Sequence, residues 1–474
     1  MAKHYKMYLG GRWVDRKNRI TVINPYDNSP VGTVAAASKA DYTKAIGIAH
    51  ETFALTRELP AYKREEALLG IAAGLEKNVD KFAAMMCREL GKAYRDSRGE
   101  VMRSVGVFRA SAEEAKRIGG DIMDLDWSPG SETRLGLVRR FPRGVIAGIS
   151  PFNFPLNLVA HKVGPAIASG NTIVIKPASA TPIVALMLAE LIDRTDLPKG
   201  AVSILPGSAS ESSPLLEDDR VKLITFTGSM DVGWWIKARS GKKPVVLELG
   251  GNAGVVVADD ADLEYAATRI LYGAFASAGQ SCISVQRIFL HEDVYDRFVK
   301  TFVTRLRKLK VGDPLDPETD IGTMIDAKAV QNTLAMIDEA VAQGATVLAG
   351  GKAKGSSMQP TLLGNVRPDM GVCSKEVFAP LAVLLKYRDF KAVIDEVNNS
   401  SYGLQAGIFT NRLKDAFYAF KYTEVGGVVI NDIPTFRADH QPYGGVKDSG
   451  LGREGIRYTI EDMTELKILS LNLK

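Results

Sequence analysis

Val145-Ile146-Ala147-Gly148-Ile149 runs into Ser150-Pro151-Phe152-Asn153-Phe154-Pro155 and then into a helix-periodic stretch over 156–169. Five apolar residues without alternation read as a strand buried on both faces, the kind that lies in a parallel sheet with helices above and below. Outward from that unit the pattern repeats. Strands are expected at 172–175, 202–205, 223–226 and 245–247, with helices at 183–194 and 228–239. A second series follows Cys282: strands at 285–290, 345–349, 381–386, 405–409 and 427–430, and helices at 292–309, 326–342, 388–398 and 412–421. Strands alternating with helices predict an α/β fold of parallel βαβ units. Two stretches depart from it. Residues 134–141 alternate as an exposed antiparallel strand would, and 466–473 read as a terminal strand without a nearby partner, which often completes the sheet of a second subunit.

The 474 residues exceed one ordinary hydrophobic core, so two or more domains are expected. A hydrophobic content of 46% with 24% charged residues is that of a soluble globular protein. A net charge of +5 over this length is too weak to imply a nucleic-acid or membrane partner. Three cysteines argue against a disulfide framework, and five histidines without a Cys-x-x-Cys show no metal-ligand set. The first residues lack the apolar core of a signal peptide and no apolar run reaches membrane-spanning length, so a cytoplasmic location is expected.

In Gly279-Gln280-Ser281-Cys282 a glycine-led turn can present a sulfur. Upstream, Leu247-Glu248-Leu249-Gly250-Gly251 sets a carboxylate between an apolar strand and a Gly-Gly turn, where it can act as a base. Together they read as a nucleophile and the base that regenerates it. Each also has a plainer reading, the Cys as a small buried hydrophobe and the Glu as a solvated strand end. Cys87, in an apolar helical stretch, and Cys373, in a polar connection, have no comparable setting. Asn153, in a turn stiffened by Pro151 and Pro155, reads first as a cap for the following helix and second as an oxyanion donor. Lys176, in Ile175-Lys176-Pro177-Ala178-Ser179, ends a strand, where ligands of doubly wound sheets bind. Phe226-Thr227-Gly228-Ser229 opens a helix at a strand end, a position that favours phosphate, and Gly207 marks another such turn. Lys375-Glu376-Val377-Phe378 puts a carboxylate and an aromatic at one turn.

These motifs, with Pro442-Tyr443-Gly444-Gly445-Val446-Lys447, occur in this order and spacing in the aldehyde dehydrogenase superfamily, which the chain resembles over essentially its full length. The resemblance implies a Rossmann-like cofactor domain from 1–118 and 138–250 and an α/β catalytic domain over 251–447. It also implies a β-flap for oligomerisation from 119–137 and 458–474, with 448–457 returning to the cofactor domain. A homodimer or homotetramer is implied. So is a mechanism in which the Cys282 thiolate attacks an aldehyde, the oxyanion is held by the Asn153 amide and the Cys282 N–H, and Glu248 activates water to hydrolyse the thioester. Lys176 would meet the adenosine ribose, Ser229 the pyrophosphate and Glu376 the nicotinamide ribose, with Phe378 near the nicotinamide. The turns at Ser150-Pro151-Phe152, Gly207, Phe226-Thr227-Gly228 and Leu249-Gly250 would complete the cleft.

Ser179 stands where NAD-preferring relatives often carry a Glu. A hydroxyl can donate to a 2′-phosphate that a carboxylate would repel, so NADP is expected to be accepted as well as NAD. Arg103 and His161 resemble the branch that handles small polar or anionic aldehydes such as lactaldehyde and glyceraldehyde. Ser281 and Ile283 flank Cys282, where some phosphate- or phosphonate-using relatives place an Arg, and so speak against a phosphate substrate. Succinic semialdehyde and phosphono- or sulfo-aldehydes are the alternatives, and Arg103 reads equally well as a structural ion pair. CoA-acylating relatives commonly lack the Glu, so Glu248 speaks against that chemistry. A non-enzymatic protein on this fold is expected to lack the Cys, the Glu or the Asn.

Overall fold

The computed structural model describes residues 3–474. An eight-stranded sheet has the order Gly450–Leu451, Val245–Glu248, Val221–Thr227, Val145–Ile149, Thr172–Lys176, Val202–Ile204, Met7–Leu9, Arg12–Val14. The strand Val145–Ile149 and its four relatives form the parallel centre, and antiparallel strands close both ends. Counted along the chain, the central strands lie in the order 3-2-1-4-5. The winding therefore reverses between Val145–Ile149 and Val221–Thr227, and a crevice opens at their carboxyl ends beside Ser150 and Gly228.

The helix Asn157–Ala168 is buried at every residue, packed against the helix Tyr94–Ala115 on one side and the sheet on the other. Its first free N–H groups, those of Leu156 and Asn157, donate to the Glu100 carboxylate at 2.9 and 3.1 Å, and Lys92 neutralises that carboxylate at 2.6 Å. Glu89 caps the next helix in the same way, accepting from Ile183 and Val184 at 2.9 and 3.0 Å. Buried acids on distant helices thus replace local caps.

A second, seven-stranded sheet runs Thr346–Ala349, Thr361–Gly364, Leu381–Tyr387, Arg287–His291, Gly254–Val257, Gln405–Phe409, Gly427–Ile430. All but its first strand are parallel. Each large sheet has its own hydrophobic core. Cys373 is not in a polar connection: the short helix Gly371–Ser374 turns Val372 and Cys373 into the core of the second half.

The third layer is an antiparallel sheet of Gly120–Asp124, Arg134–Pro142 and Thr464–Asn472. Ahead of its last strand, the helix Ile456–Asp462 sends Ile456, Ile460 and Met463 into the first core. The strand that follows this helix begins at Thr464. No helix among the described residues is long and apolar enough to cross a membrane.

Candidate active site

The helix Leu263–Phe275 gives way to a turn in which Ser277, Ala278 and Gly279 all have positive φ, at 52°, 53° and 66°. Left-handed backbone at two non-glycine residues is costly and persists where the surroundings impose it. Here Asp96 accepts the Ser277 N–H at 2.8 Å, and Gln280 Oε1 accepts the Ile325 N–H at 2.8 Å. Position 279 must be glycine, since a Cβ would fall 2.0 Å from the Ala379 carbonyl oxygen. The turn delivers Cys282 to within 3.2 Å of Tyr443 Oη, sulfur to oxygen. Asn153 donates its amide to the Gln280 carbonyl at 3.0 Å. It stands beside the cysteine turn and does not cap the helix, a task that Glu100 performs. Burial pushes the Cys282 thiol up to about 12; Glu376 and Glu248 push the same way, and the Tyr443 hydrogen bond opposes them.

Glu248 ends its strand with both carboxylate oxygens buried and without a hydrogen-bond partner. Burial raises it well above the usual carboxylate range, and the negative charge of Glu454 adds to this against Arg437 and Lys162. Glu454 is equally buried but paired, with Lys162 at 3.4 Å and Arg437 at 3.1 Å. Burial works against its ionisation, yet these two cations outweigh it and hold Glu454 down at about 2. Two neighbouring carboxyls are thus driven apart, one fixed as an anion and one poised to take a proton. The backbone closes on the second: a Cβ at Gly444, whose φ is 156°, would sit 2.9 Å from Glu248 Oε1.

Cys282, Glu248 and Asn153 share one cavity of about 600 Å³. Ser281 and Ile283 line it beside the sulfur, and Pro151 and Phe152 beside Asn153. On the crevice side the wall is made by Gly228, Ser229, Leu249 and Gly250, faced by Glu376 and Phe378. Glu376 accepts the Gly251 N–H at 2.9 Å, and burial raises its carboxyl to about 7. Phe378, itself at φ 52°, meets Phe152 edge to face at 6.0 Å. Ser229 is the N-cap of the helix Met230–Arg239 but makes no side-chain cap bond.

Ser150, Lys176, Ser179, Gly207 and Phe226 lie outside that wall. The Ser150 hydroxyl is buried without a partner. Lys176 reaches only the Pro177 carbonyl, at 3.4 Å, and pairs with no carboxylate among the described residues. Ser179 donates to the Gly207 carbonyl at 3.0 Å. Phe226 supports the Gly228 turn, where a Cβ would come within 2.4 Å of its ring. An orphaned hydroxyl, a poorly satisfied ammonium and an uncapped helix N-terminus along one crevice fit a dinucleotide with ribose hydroxyls and phosphates.

Arg103 reaches the cavity wall but is already engaged, with Nη2 and Nε 2.7 and 3.3 Å from the Asp439 carboxylate. His161 is fully buried behind the wall, 2.9 Å from the same carboxylate, and burial with the neighbouring Arg437 lowers its pKa against the pull of Asp439 and Glu454. The structure therefore brings Arg103 to the cavity and leaves His161 out. The sequence reading did not single out Arg437, Asp439, Tyr443 or Glu454. The motif Pro442–Lys447 pointed at the right loop, but only the fold shows that its tyrosine meets the sulfur.

The aldehyde dehydrogenase family model matches residues 13–469. The chain belongs to the aldehyde dehydrogenase family. It is 46% identical over 473 residues to a 3-sulfolactaldehyde dehydrogenase of Priestia aryabhattai, covering 100% of this chain and 99% of that one. Among solved structures it matches aldehyde dehydrogenase 21 from Physcomitrella patens in complex with the reaction product succinate. That match has TM-score 0.98 and 44% identity, and covers 100% and 99% of the two chains. It also matches the glyceraldehyde-3-phosphate dehydrogenase of Methanocaldococcus jannaschii complexed with NADP, with TM-score 0.93 and 36% identity over 97% and 100%. This aldehyde dehydrogenase is an oxidoreductase that acts on an aldehyde with NAD(P).

Proposed function

We propose that this aldehyde dehydrogenase oxidises a small aldehyde with a polar or anionic tail to its carboxylate. The observation that carries this reading is the pair of guanidinium groups, Arg103 and Arg437, in the wall of the cavity that holds Cys282. Arg437 Nε is buried without a hydrogen-bond partner, 4.0 Å from the Asp439 carboxylate. The relatives agree in kind: one is named for sulfolactaldehyde, and another was captured with succinate.

In this reading the Cys282 thiolate attacks the aldehyde carbon, and the new oxyanion accepts from the Asn153 amide and the Cys282 N–H. NAD(P), when bound, supplies the hydride acceptor that turns the adduct into a thioester. Glu248 then takes a proton from water as that water attacks, the C–S bond breaks, and the thiolate returns. Ser150, Lys176 and Ser229 would hold the dinucleotide, with Glu376 at the nicotinamide end. Ser179 must turn from Gly207 to donate to a 2′-phosphate. The three cysteines are free, which fits a reducing, cytoplasmic setting.

Initial rates with lactaldehyde, glyceraldehyde, sulfolactaldehyde, succinic semialdehyde and an apolar aldehyde, each with NAD and NADP, test this. Anionic aldehydes should be preferred, and NADP should serve at least as well as NAD. Arg103→Ala should raise KM for the anionic aldehydes by about 10- to 100-fold, the worth of a charged hydrogen bond, and leave the neutral ones nearly unchanged. Equal losses across the panel would assign Arg103 to structure.

For assembly, we propose that two copies pair through their free sheet edges. Thr464–Asn472 edges the flap with Leu466 and Ile468 at 60% and 50% exposure. Gly427–Ile430 edges the seven-stranded sheet, and on the adjoining helix Leu413, Phe417 and Phe420 form an exposed apolar stripe. Such edges and patches are closed by association. Leu466→Asp with Ile468→Asp should yield monomers by light scattering; an unchanged mass removes this strand from the interface.

A further inference from the structure

Tyr443 has no part in the steps above, yet its hydroxyl is the side-chain group in contact with the Cys282 sulfur, 3.2 Å away. We propose that Tyr443 is a catalytic residue whose O–H donates to the Cys282 sulfur and favours its thiolate form. This rests on Cys282 as the nucleophile.

The direction of the bond follows from its partners. A phenol is a strong donor and a thiol a weak one. Among the described residues the Tyr443 hydroxyl has no other hydrogen-bond partner, so unless it donates to sulfur a buried O–H goes unsatisfied. The ring is also prepared for the task. The Arg437 guanidinium stands 3.8 Å from the ring centroid, anchored at 3.1 Å to Glu454. A cation over the π face withdraws charge and strengthens the O–H as a donor. The backbone fixes the position, since Tyr443 and Glu454 exchange both N–H···O bonds, at 2.9 and 2.6 Å. Arg437 favours the thiolate through its charge alone; among the described residues no Lys, His or Arg side chain hydrogen-bonds to the sulfur, and Glu248 and Glu376 both oppose its ionisation.

Alkylation of the cofactor-free enzyme by iodoacetamide as a function of pH tests the proposal, because it reads the sulfur without turnover. In Tyr443→Phe the ring and its stacking on Arg437 remain and only the donor is lost. The midpoint of the alkylation profile should move up by about one pH unit, with roughly 10-fold slower alkylation at pH 7. The plateau at high pH should be retained, because a less stabilised thiolate is, if anything, the better nucleophile. An unmoved or lowered midpoint overturns the proposal. A 3-fluorotyrosine at position 443, a stronger donor, should move the midpoint downward, and an upward shift would also overturn it. Failure of Cys282 as nucleophile is separate and shows as turnover that survives its removal.

Discussion

Cys282→Ala is expected to abolish aldehyde oxidation, lowering kcat by on the order of 10⁵-fold or more, the scale on which enzymes lose rate when their nucleophile is removed. No second thiol can take over. Cys87 is buried against Ser97 and Cys373 lies in the second hydrophobic core, and burial pushes both thiols up to about 11. Ser281 lines the same cavity, but its hydroxyl is a poor nucleophile without an adjacent base. The loss should be one of chemistry alone. The sulfur packs against a small cluster of Ile283, Leu404 and Tyr443, so NADP binding and the thermal unfolding midpoint should change little. Steady-state formation of reduced cofactor is the measurement. Turnover above about a thousandth of the parent would move the chemistry away from Cys282, because general acid–base and binding effects alone fall within that range.

The parallel strands were legible because most are short, largely apolar runs buried on both faces, and the proline-flanked turn at 150–155 announced the first crossover. What sequence could not show was pairing at a distance. Asn153 looked like the cap of its own helix because a cap is usually local. The true cap is Glu100, on another helix, and this frees the Asn153 amide for the cysteine turn. Gly279 signalled a tight backbone, yet the positive φ of Ser277 and Ala278 carries no residue-type mark. His161 and Arg103 were noticed as polar residues on helices, but their sense depends on Asp439, in a loop hundreds of residues later. Glu248 and Glu454 illustrate the limit best. Both are glutamates near glycines, and only the presence or absence of Arg437 and Lys162 as partners makes one a fixed anion and the other a candidate base.

That difference sets the second large effect. Glu248→Gln should give one burst of reduced cofactor at nearly the parental rate and then stall, with steady-state turnover lower by about 10²- to 10⁴-fold, the usual worth of a general base. The pH profile supplies the sign. Burial raises the Glu248 carboxyl well above its ordinary value, so at low pH it is protonated and too weak a base to take the proton from water. Thioester hydrolysis in the parent should therefore climb as pH rises through that raised value, and the climb should vanish in Glu248→Gln. Stability should move the opposite way. The unfolded chain ionises this carboxyl first, so it favours unfolding increasingly as pH rises from the ordinary carboxylate range toward the raised folded value. An amide carries no such penalty, and Glu248→Gln should gain thermal stability relative to the parent at pH 8 but not at pH 4. Full steady-state turnover in Glu248→Gln would remove this residue from thioester hydrolysis. A lost burst would instead place it earlier, as the group that takes the proton from Cys282.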